Sequence, residues 1–91
     1  MPSVTQPAAN HMVLYRVQTP TLQTTCVDAL TWLGRPGLAA GSLDRHDGHF
    51  VVITCTDATA DVLAEGFILG IDPFAKRVGQ RGTDRGVAAI G

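Results

Sequence analysis

The chain has 91 residues, enough for one domain and too few for two. With 45% hydrophobic and 16% charged residues and a formal charge of -1, it reads neither as a disordered segment nor as a polyanion binder working through bulk charge. Its longest apolar runs, such as "FVVI", fall far short of the roughly 20 residues that cross a bilayer, so no membrane partner is expected.

No basic region followed by an apolar one opens the sequence, so no signal peptide is expected. Two cysteines, Cys26 and Cys55, are too few for a secreted disulfide scaffold, and the expected location is the cytoplasm. Residues 1–11 begin "MPSVTQPAAN", with two prolines and no periodicity, and are expected to form a flexible arm. "MVLYRVQ" is β-branched, aromatic and apolar, which predicts a strand that Thr19-Pro20 ends.

A helix is expected after Thr25, which is placed as its cap with Asp28 completing a capping-box-like pair. Cys26, Ala29, Leu30 and Leu33 then share one face, and Gly34 with Pro36 supplies the stop. Asp47-Gly48 lies between two extended runs, and an Asp-Gly pair suits the positive φ angles of a two-residue type I′ hairpin turn. That register sets His46 and His49 across from one another. Asp57 caps a second helix in which Ala60, Leu63, Ala64, Phe67 and Ile71 recur at helical spacing, with Gly70 and Pro73 at its end. Short extended candidates near Phe74–Val78 and Val87–Ile90 offer a fourth strand.

The order is βαββαβ, which predicts an α+β, ferredoxin-like two-layer sandwich: a four-stranded antiparallel sheet with both helices on one face. The domain is placed at residues 12–78, and 79–91 is a Gly-rich basic tail or an exchanged strand. This layout is similar to that of heavy-metal-associated and ACT domains in the order and length of its elements over about residues 12–78. A heavy-metal-associated domain carries C-x-x-C before its first helix, whereas "QTTCVDA" holds Cys26 alone, and "TPTLQTT" lacks the glycine that opens the ligand loop of many ACT domains. Neither family's function carries over.

In such a fold, three segments meet at one end of the sheet: residues 19–26, the hairpin tip 44–49, and the turn 70–76. Thr24, Cys26, His46 and His49 are therefore the candidate ligand-binding residues. Two opposed imidazoles with Cys26 or Asp44 suggest a metal carrier, but structural zinc takes four ligands, and no HxH, HExxH or CxxC spacing is present. A solvated turn is the simpler reading, and no metal or other cofactor is expected. Cys26 is expected to be a buried, inert thiol on the apolar helix face, and a Cys26–Cys55 disulfide is not expected. Four of the seven basic residues, Lys76, Arg77, Arg81 and Arg85, lie within ten positions; with no aromatic residues interleaved, nucleic acid is disfavoured as a partner. Trp32 falls off the main apolar face and either laps over the sheet edge or docks on a partner.

The strands "FVVITC" and "MVLYRV" are apolar on both faces, and two helices cover only one. The other face, assigned to Leu14, Val51 and Ile53, is expected to pair with a second copy of the chain. No paired carboxylates, activated nucleophile or phosphate loop is found, so the leading expectation is a non-enzymatic binding or regulatory module acting as a homo-oligomer on a small-molecule ligand. The alternatives are a dimeric α+β-barrel enzyme using His46, His49 or Tyr15 for proton transfer on a small apolar substrate, a metal carrier, and a structural subunit of a larger assembly.

Overall fold

The structure is a computed structural model and describes residues 11–82. Six elements follow in order: β1 (His11–Val17), α1 (Pro20–Leu33), β2 (Leu38–Arg45), β3 (Gly48–Cys55), α2 (Ala58–Ile71) and β4 (Lys76–Gly82). The strands form one antiparallel sheet of order β2-β3-β1-β4, and the fold is the ferredoxin-like α+β sandwich. The tail at 83–91, including Arg85 and the extended candidate at Val87–Ile90, lies outside the described residues, as do residues 1–10 of the expected arm. β4 continues past Val78 to Gly82 because it pairs with β1 of the same chain, with a shift in register between Leu14 and Tyr15.

Helix α1 begins earlier than the sequence suggested. Thr19, in extended conformation, is the N-cap: its hydroxyl accepts from the Leu22 N–H at 3.1 Å, and Pro20 occupies the first helical position. Proline is suited to that place because its missing N–H belongs to a turn with no intrahelical partner anyway. Thr25 is instead inside the helix, donating its hydroxyl to the Thr21 carbonyl at 2.9 Å. Gly34 closes α1 in the left-handed conformation, as the sequence predicted. Asp57 caps α2, accepting from the Ala60 N–H at 2.7 Å.

Register assigns the two faces. Tyr15 stands opposite Val51 and Val13 opposite Ile53, and these four lie in one cluster with Cys26 and Leu30 of α1 and Ala64 and Ile68 of α2. Val51 and Ile53 are therefore beneath the helices, each 0% exposed, and do not belong to the outer face. Sequence alternation sorts residues into two sets but does not label which set meets the helices. The outer set is Met12, Leu14 and Arg16 of β1 with Phe50, Val52 and Thr54 of β3, flanked by Ala39, Gly41 and Leu43 of β2. Of the predicted interface residues, only Leu14 is on this side. The face is partly sheltered by its own side chains: the Arg45 guanidinium lies 5.1 Å from the centre of the Phe50 ring. Phe50 is only 2% exposed and Leu14 9%.

Candidate functional site

The end of β1, the start of β3 and the turn from α2 into β4 converge on one cleft, at the end of the sheet where the sequence placed its three segments. Arg16, Val17, Gln18, Asp47, Gly48, His49, Phe74 and Lys76 surround a volume of about 390 Å³. That lies within the range of small-ligand sites, roughly 300–1,000 Å³.

Two buried polar residues behind the cleft hold its walls. Asp72, at the C-terminal end of α2 and 0% exposed, accepts from the Gln18 N–H at 2.9 Å, the Gln18 side-chain amide at 3.0 Å and the Phe74 N–H at 3.0 Å. Burial pushes its carboxyl pKa up, but the hydrogen bonds from Gln18 and Phe74 together outweigh this and hold it below the usual carboxylate value. One side chain thus joins the end of β1 to the turn before β4. Phe74 is held by its backbone N–H, and the residue as a whole is 73% exposed.

Gln23, on the buried side of α1, does the same for the hairpin. Its side-chain amide donates to the Phe50 carbonyl at 2.9 Å and to Asp44 Oδ1 at 3.0 Å, and it lies 3.3 Å from the Leu43 carbonyl. Asp44 Oδ1 also meets His49 Nδ1 at 3.2 Å. The hydrogen bond from Gln23, followed by that from His49, lowers the Asp44 pKa. His49 is thereby anchored through one ring nitrogen. Sequence reasoning missed Gln23, Asp72 and Gln18, although Gln23 falls three residues before Cys26 and seven before Leu30, on the same helical stripe.

The hairpin differs from the expectation by one residue. Arg45 pairs with Gly48 and Asp44 with His49, which leaves His46-Asp47 as the loop. Neither loop residue has positive φ, so this is not the type I′ turn that an Asp-Gly centre predicts. Gly48 instead begins β3 at φ 150°, and a Cβ there would lie 3.2 Å from Arg16 Cδ. The glycine serves a close crossing by the Arg16 side chain. A one-residue slip changes which side chains face each other, and His46 and His49 are consequently not an opposed pair.

Other predicted site residues also move away from the cleft. Thr24 is exposed on α1, and Cys26 is 0% exposed within the core. Burial, followed by the nearby Asp72 charge, pushes the Cys26 thiol pKa up to about 11. Cys26 and Cys55 are both free. Among the described residues no group of three or more His, Cys, Asp or Glu side chains is arranged to hold a metal ion. The space between helices and sheet, where a barrel-type enzyme keeps its substrate, is packed with Tyr15, Ile53, Cys26, Leu30 and Ile68. Tyr15 is buried there; desolvation pushes its pKa up to about 12, and its hydroxyl accepts from Arg77 at 3.4 Å. Trp32 is 90% exposed and does not lap over the sheet edge. No described helix is long and apolar enough to cross a membrane.

Compared with protein-family models, curated proteins and solved structures, the chain matches none of them.

Proposed function

We propose that this chain is a small, non-enzymatic binding module that takes a small molecule in the cleft at the hairpin end and works as a homo-oligomer through its helix-free sheet face. One observation carries the ligand reading: the cleft is preorganised from behind. Buried Asp72 holds Gln18 and the Phe74 backbone, and buried Gln23 holds Asp44, which in turn meets His49, so the backbone around the cleft is tied down from behind. A site with fixed walls loses less freedom on binding than one that must order itself. The exposed Phe74 ring offers an apolar surface for a ligand body, while Arg16, Lys76 and His49 offer polar edges.

The test is amide chemical-shift mapping with phenyl phosphate, benzoate and benzyl alcohol titrated separately. At least one of the three is expected to move the resonances of residues 16–18, 47–49 and 74–76 together and saturably. A folded chain in which none of the three does so removes the cleft as a binding site.

A further inference from the structure

Arg16 and Lys76 are direct Cα partners in the antiparallel β1–β4 pair. Directly opposed residues in such a pair lie about 4.5–5.5 Å apart at Cα, and like charges in that position repel. Both side chains are exposed and both line the cleft. Among the described residues, every ion pair involves Arg35, Arg45, His49 or Arg77, so neither Arg16 nor Lys76 has a carboxylate to offset the repulsion. The one acidic residue of the cleft, Asp47, is engaged by Arg45 at 3.4 Å. The Arg16 side chain runs over Gly48 of β3, so Arg16 bounds the cleft on the β3 side of β1 and Lys76 bounds it on the β4 side.

We infer that Arg16 and Lys76 form a clamp for the phosphate group of a small organic phosphomonoester, whose body rests against Phe74. This rests on the reading of the cleft as a binding site and adds the class of ligand. Two opposed cations fit a group that carries close to two negative charges near neutral pH and has three strong acceptor oxygens, as a phosphomonoester does. A carboxylate brings one charge and leaves the second cation uncompensated. A volume of about 390 Å³ exceeds what a bare phosphate fills, and Phe74 supplies the apolar wall for the rest.

The experiment uses the full chain at about 0.15 M salt, where diffuse attraction between exposed charges is screened beyond about 8 Å. Affinities for phenyl phosphate, benzoate and benzyl alcohol are measured by calorimetry and amide shifts, with Tm recorded in the same salt without phosphate, sulfate or carboxylate buffers. Phenyl phosphate is expected to bind about tenfold or more tightly than benzoate, and Lys76→Gln and Arg16→Gln each to weaken it by about tenfold. Lys76→Gln is also expected to raise Tm without ligand, because it removes the repulsion, an effect that a merely structural lysine does not predict. Benzoate or benzyl alcohol binding in the cleft as well as phenyl phosphate, or Lys76→Gln leaving both phosphate affinity and Tm unchanged, overturns the phosphate clamp and leaves the cleft as a binding site. A cleft that none of the three occupies overturns both.

Discussion

Gln23 shows how much a single polar residue on an apolar helix stripe can organise. It is 4% exposed and hydrogen-bonds across two elements, tying α1 to the β2–β3 hairpin. Replacing it by leucine roughly keeps the volume but removes the amide, which leaves the Phe50 carbonyl without that donor. The expected cost is about 1–3 kcal/mol, measured by urea denaturation, because a buried acceptor loses its partner. His49 also loses its orientation, since Asp44 is released from α1. A Gln23→Leu variant as stable as the parent, with unchanged His49 resonances, removes Gln23 from this role. The residue was visible in the sequence as position 23 on the stripe of 26 and 30, but a helical pattern scored on apolar residues passes over a glutamine. The same limit applies to the hairpin: Asp-Gly located the turn to within one residue, while Gly48 lies in β3 beneath the Arg16 side chain of another strand. Local sequence carries no record of that crossing.

Among the elements, the junction between α2 and β4 is the one whose chemistry depends most on pH. Asp72 has a lowered pKa in the folded chain, while the unfolded value is about 3.9. Its stabilising contribution is therefore fully present above the unfolded value and is lost as pH falls through the folded value. Asp72→Asn is expected to destabilise the fold at pH 7 by about 1–3 kcal/mol, as one acceptor oxygen becomes a donor facing the Gln18 or Phe74 N–H. It is also expected to flatten the loss of stability on acidification, so that the gap between parent and variant at pH 7 narrows at an acidic pH below the unfolded carboxyl value. Parallel denaturation curves at the two pH values check this; an equal gap between the two chains at both removes the carboxylate from the account. A second tie secures the edge strand: Arg77 of β4 donates to Asp61 of α2 at 3.0 and 3.3 Å and lies 3.5 Å from Glu65. The order of elements, the cap at Asp57 and the stop at Gly34 were legible because each depends on a few neighbouring residues. The cap at Thr19 was also written locally, in Thr19-Pro20, but the same pair serves equally well as the end of a strand, and only the tertiary path decides between the two.

For the whole molecule the open question is what meets the helix-free face, and the geometry gives a definite expectation. Four strands spaced about 4.8 Å apart, each about 7–8 residues long at roughly 3.3 Å per residue, present a flat area of about 480 Å². That projection is smaller than the roughly 800 Å² per partner of a standard interface, and Leu14 and Phe50 are already largely covered, so pairing through this face is expected to be concentration-dependent. By register, Arg16, Arg45 and Lys76 stand on this face toward the hairpin end and Arg81 stands opposite Met12 at the far end, so the uncharged part of the face is its middle, around Leu14, Val52 and Gly41. Sedimentation of the chain over a wide concentration range should show a species of twice 9.6 kDa that dissociates on dilution. Val52→Lys, a change on the outer face, should abolish that species without unfolding the chain, because it sets like charges in the middle of the interface. The Leu14→Lys variant should do the same at a greater cost in stability, since Leu14 is only 9% exposed. A chain that sediments as a monomer at every concentration removes the paired-sheet reading and leaves the cleft, which is built within one chain, untouched.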